Sequence, residues 1–90
     1  MDLDLAEREA HGRYLNHIMA CAGCHAPVKR YCVDGQQYQA DYVAHFLMGR
    51  DIHTRRVHLA KMETTDPGLV EPVKERMIAI HDQLREEEAE

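Results

Sequence analysis

The chain has 90 residues, 44% of them hydrophobic, and this length predicts one domain spanning residues 1–90 with no room for a second, which the elements below make an all-α domain of three or four helices. Eleven Lys and Arg stand against sixteen Asp and Glu, a formal charge of -5, and this acidic balance argues against nucleic acid as the main partner. An acidic, polar start and the lack of a long apolar run predict a cytoplasmic protein that does not cross a membrane.

The first predicted helix runs from Leu3 to about Ala22, where good helix formers occur without proline and Tyr14, Ile18 and Cys21 recur at helical spacing. Gly23 and Pro27 then predict a loop from Cys24 to Gln36, with Asp34-Gly35 as a turn pair. Tyr38, Tyr42, Val43, Phe46 and Leu47 mark a second amphipathic helix from Tyr38 to Met48, ending near Gly49. A short third helix is expected over Asp51 to Met62, followed at Thr64 to Gly68 by a turn or helix start. Pro72 is expected in the first turn of a last helix. On that helix Val70, Val73, Met77, Ile80 and Leu84 recur every three or four residues, a stripe that needs a partner surface. The partner is another helix of the same chain or the same stripe in a homodimer.

The charge is unevenly spread. Residues 1–16 sum to -2, residues 17–61 to +3 and residues 62–90 to -6. Arg50, Arg55, Arg56 and Lys61, beside His53 and His58, make the segment 50–61 a candidate phosphate-contacting helix. It has no interleaved aromatics, and a solvated basic face is the simpler reading. His45, His53, His58 and His81 show no ligand pattern and are expected at the surface or the core edge.

His17, Cys21, Cys24 and Cys32 form the series His-x3-Cys-x2-Cys-x7-Cys, and these four are the candidate metal ligands. On a continuous helix His17 and Cys24 share a face but stand about 10 Å apart along the axis, so one ion requires the chain to turn near Gly23. Three thiolates and one imidazole predict a closed, tetrahedral, structural zinc site with no open position for water. His25 or His11 competes with Cys32 as the fourth ligand. Three cysteines without an export signal argue against a disulfide framework, and no nucleophile, phosphate-loop or metalloprotease motif is present, so no enzyme is expected. If Cys32 were a labile ligand, its oxidation would release the metal, which makes the protein a candidate redox-sensitive module.

The segment from His17 to Cys24 resembles the His-x3-Cys-x2-Cys signature of zinc-binding anti-sigma factors, small helical proteins that hold a sigma factor away from RNA polymerase. It is also similar to short actinobacterial cysteine-rich proteins in which Cys-x2-Cys precedes Cys-x2-Gly, here Cys32-Val33-Asp34-Gly35. The resemblance covers only this short region, and the chain lacks the upstream ligand cysteine that anti-sigma family commonly uses. It implies a regulatory protein whose partner is a sigma factor or another RNA polymerase component.

The same residues permit other chemistry. Cys21-Ala22-Gly23-Cys24-His25 is also the attachment sequence of c-type haem, with His25 as proximal ligand and Met48 or Met62 as distal ligand. Gly12-Arg13-Tyr14-Leu15 resembles the approach to that motif in monohaem cytochromes c. Cys21 and Cys24 as a redox couple lack the strand-turn-helix setting of thioredoxin-like proteins, and an iron–sulfur cluster on the three cysteines and His17 stays open.

Overall fold

A computed structural model of the protein describes residues 2–89. It is 84% helical, with four α-helices and no strand among the described residues. Helix α1 spans Leu3–Ala20, α2 Val33–Met48, α3 Ile52–Thr65 and α4 Pro67–Ala89. A single 3-10 turn at Ala26–Val28 breaks the connection between α1 and α2. No described helix is long and apolar enough to cross a membrane.

Each start has a local cause. The Asp2 carboxylate accepts the N–H groups of Asp4 and Leu5 at the beginning of α1, and Asp51 accepts that of Thr54 at the beginning of α3. Proline at the first position of α4 removes an N–H that would lack a helical acceptor anyway. Pro72 therefore lies inside α4 and not in its first turn as expected, because the helix begins five residues earlier at Pro67. There Pro72 leaves the Gly68 carbonyl without its helical donor.

Helix α2 is the central element and packs against α1 on one side and α4 on the other. Ala40 and Ala44 keep its inner face narrow, which lets Leu47, Val73 and Ile80 become fully buried between α2 and α4. Full burial of each of these three side chains is worth about 1.5–3 kcal/mol. The Val70 to Leu84 stripe is thus covered inside the chain: Val70, Val73 and Ile80 are buried, while Met77 and Leu84 pack against the same core. Helix α3 buries none of its residues completely and closes the core edge with Leu59 and Met62.

Two polar devices hold the layers in register. At the end of α2, Arg55 reaches back from α3: Nε donates to the Leu47 and Arg50 carbonyls at 2.9 and 3.0 Å, and Nη2 to the Met48 carbonyl at 3.0 Å. These carbonyls belong to a helix end and the turn after it, so Arg55 satisfies acceptors that α2 itself cannot. Arg50 stacks on the Phe46 ring at 4.1 Å and pairs with Glu7 at 3.5 Å. Two of the four cations singled out in segment 50–61 are therefore engaged in holding the fold.

The second device is Asp41 of α2. It accepts from Arg76 of α4 at 2.6 Å and from Arg13 of α1 at 3.1 Å, tying three helices together. His45, one turn later, directs Nδ1 to the Asp41 carbonyl at 2.8 Å and is 4% exposed, a core residue where the sequence suggests the surface or the core edge. Burial works to raise the pKa of Asp41, but the hydrogen bonds from Arg76 and Arg13 outweigh it and hold the carboxyl below its ordinary value. A folded pKa below the unfolded one, about 3.9, gives stability that is complete above pH 5 and disappears as pH falls through the folded value. Asp41→Asn is expected to cost about 1–2 kcal/mol at neutral pH, since both arginines are partly solvated. The gap between urea titrations of the two proteins should begin to narrow near pH 4 and close only as pH falls through the lowered folded value. A gap that stays constant as pH falls through that lower range would assign the stability to something other than the ionised carboxylate.

Candidate metal centre

Helix α1 ends one turn after His17, and Cys21 is its C-cap, its N–H donating to the His17 carbonyl at 2.9 Å. The chain then doubles back, with the Cys24 N–H donating to the Cys21 carbonyl at 3.2 Å. Gly23 lies in this turn, as expected, but with no positive φ. The left-handed residue of the connection is Lys29, φ 55°, where the chain closes the 3-10 turn and pairs His25 with Arg30 as an isolated bridge.

Cys32 is the N-cap of α2, and its Sγ accepts the Gly35 N–H at 3.2 Å. Helix α2 accordingly begins at Val33, five residues before the expected Tyr38, and Asp34-Gly35 forms its first turn instead of a loop turn. Aspartate in a first helical turn is favourable, and a sulfur cap lacks the usual Ser, Thr, Asp or Asn signal. The connection thus ends earlier than the predicted loop but also begins earlier, because α1 stops at Ala20 and not Ala22.

These elements bring four ligand atoms together. The donors of His17, Cys21, Cys24 and Cys32 all lie within 4.8 Å of one another. Cys32 Sγ is 3.8 Å from Cys21 Sγ, 3.7 Å from Cys24 Sγ and 3.1 Å from His17 Nε2. For zinc–sulfur bonds of about 2.3 Å, two corners of a tetrahedron are about 3.8 Å apart. The sulfur spacing fits a single four-coordinate ion, and the three thiols are free, far beyond the roughly 2.05 Å of a disulfide. A multi-iron cluster, whose sulfurs bind different irons, needs them more widely spread. The group can hold one metal ion.

His25 and His11 do not join the cluster. His25 is exposed and engaged through its backbone with Arg30, while His11 stacks on Tyr42 with centroids 4.5 Å apart. Met48 and Met62, considered as distal haem ligands, pack in or against the apolar core.

The electrostatics divide the thiols. Cys32 is drawn down to about 6, first by the Gly35 N–H and then by His17, so this sulfur is the readiest anion. Cys24 accepts the Cys32 N–H at 3.4 Å, which lowers its pKa, yet burial and the neighbouring Cys32 and Cys21 sulfurs raise it on balance. Three sulfurs this close cannot all ionise comfortably without a cation between them, and a divalent ion removes that conflict.

No family model, curated protein or solved structure matches the chain. The functional reading therefore stands on this geometry.

The surroundings of the site include features absent from the spacing argument. Gly35 is buried, and a Cβ there would stand 2.7 Å from Cys24 Sγ, so only glycine lets the thiol reach the first turn of α2. An aromatic layer seals the α1–α2 seam beside the site: Tyr14 stacks on Tyr42 with centroids 5.9 Å apart, and Tyr38 tilts against His17 at 5.1 Å. The Tyr14 and Tyr31 hydroxyls are 2.8 Å apart, and burial, followed by this hydrogen bond, pushes the Tyr14 pKa up. The tyrosines are visible in the sequence only as apolar helix positions; their closure over a metal loop is a tertiary property.

Proposed function

We propose that the protein is a zinc-stapled regulatory module that acts by binding another protein, with a sigma factor or another component of the transcription machinery as the partner class. The convergence of three sulfurs and one imidazole, with two sulfur–sulfur distances that match a tetrahedral zinc edge, carries this reading. Such a soft, mixed donor set suits zinc, and four protein ligands leave no position for an activated water. The metal then works structurally, joining the end of α1 to the start of α2 and fixing the faces that a partner would meet. The transcription assignment is supported by the resemblance of the His17 to Cys24 segment to anti-sigma factors.

Haem attachment through Cys21 and Cys24 would need His25 as an axial ligand, and His25 lies outside the cluster. Elemental analysis of protein purified under reducing conditions is expected to give one zinc per chain, with no Soret band. Cys32→Ser should reduce the bound zinc, and cobalt substitution should produce the visible bands of a tetrahedral thiolate site. Iron in place of zinc, or full metal retention in Cys32→Ser, would overturn the reading. Gel filtration of the zinc-loaded protein with purified sigma factors tests the partner class separately; if none co-elutes, the transcription assignment fails while the metal centre stands.

A further inference from the structure

A groove of about 500 Å³ opens behind the metal loop, bounded by that loop, the first turns of α2 and the start of α4. Its chemistry runs against the charge of the whole molecule. Lys29 and Arg30 supply two cations from the loop, and Asp66 is the one acid on its lining. The Arg30 side chain is exposed and makes no hydrogen bond or ion pair with any described residue. Lys29 spends one of its three donors on the Thr65 carbonyl at 3.3 Å. It does so from a left-handed backbone conformation that glycine would adopt with less strain, but glycine would bring no ammonium group.

Between the cations and the start of α4, Gln37 and Gln39 line the groove with amide groups that can both donate to and accept from an extended backbone. Val33, which is 71% exposed, stands with Leu69 and Pro72 as the apolar part of the lining. Two cations, two side-chain amides and a small apolar surface together match an extended peptide that carries carboxylates and an occasional aliphatic side chain. The matching charge supplies orientation and the apolar contact supplies burial.

We infer that this groove receives an acidic, extended segment of the protein partner. The inference rests on the protein-binding reading above and gives that partner a chemistry. It also gives the metal a role in recognition, because the loop bearing Lys29 and Arg30 is closed at its two ends by Cys24 and Cys32.

The test uses the full-length, zinc-loaded protein and a short fluorescein-labelled peptide of glutamates with interspersed leucines. A counterpart with every glutamate replaced by lysine serves for comparison. Anisotropy should show saturable binding of the acidic peptide alone, weakening with salt as partly exposed charge pairs do. Arg30→Glu is expected to weaken binding about tenfold and Asp66→Asn to tighten it about threefold, opposite signs that a merely structural disturbance would not give. Amide shifts in the zinc-loaded protein should cluster at residues 29–37 and 66–72. Metal analysis of each variant accompanies the titration, and Arg30→Gln replaces Arg30→Glu if the latter loses zinc. Equal binding of the lysine peptide, no binding, or shifts confined to α3 around Arg56 and Lys61 would overturn the inference. Failure here together with a stable sigma-factor complex would remove the groove and leave the protein-binding reading intact.

Discussion

Stripping the metal from reduced protein is expected to abolish cooperative unfolding near room temperature, and one equivalent of zinc should restore it. The scale of the effect follows from the size of the domain. Binding to a small structural zinc site contributes on the order of 10 kcal/mol, whereas a whole domain is stable by about 5–15 kcal/mol. The fully buried large side chains, Leu47, Val73 and Ile80, all lie on the α2–α4 side, and α1 buries only Ala10 completely. Holding α1 in place therefore falls to the aromatic seam, the Arg13–Asp41 and Glu7–Arg50 pairs, the partly buried Leu3 and the candidate metal ligands. Circular dichroism melts with and without chelator, in the presence of reductant, measure the difference. Superimposable melts would show that the cluster is an incidental grouping of thiols.

Gly35→Ala should be the most damaging single methyl group in the chain. The added Cβ would lie 2.7 Å from Cys24 Sγ and 3.5 Å from both His17 Cδ2 and Tyr31 Cβ, so the thiol or the helix must move. Either movement disturbs the hydrogen bonds from the first turn of α2, and support of this kind commonly accounts for about 10–100-fold in metal affinity. Zinc competition with a chromophoric chelator reads that loss directly. Gly12→Ala provides a contrast of opposite sign: it lies inside α1 with nothing within 4 Å of the new methyl, and should stabilise the protein by up to about 1 kcal/mol. Equal affinities of the Gly35→Ala and unaltered proteins would mean that Cys24 does not bind metal from this position.

The candidate ligands are legible from spacing because an imidazole and three thiols placed four, three and eight residues apart have few other reasons to recur. The α2–α4 stripe is legible because apolar periodicity reports burial directly. What escapes depends on contacts distant in sequence or on unusual caps. Cys32 as an N-cap hides the true start of α2, since Asp34-Gly35 carries the same residues as a turn. Arg55 looks like part of a phosphate-binding stripe because nothing in its neighbourhood shows that α2 ends within its reach. His45 looks superficial because its acceptor is a carbonyl of its own helix, which makes its burial tolerable. Pro72 suggests a helix start on residue type alone, although Pro67 satisfies that rule better.

Cys32 is both a candidate metal donor and the N-cap of the central helix, so an ion bound there would be coupled directly to the start of that helix. Each tenfold rise in free zinc above its dissociation constant would add about 1.4 kcal/mol to the apparent stability of the chain. Resistance to unfolding would then vary with the supply of the ion, with the start of α2 as the point where the two are linked.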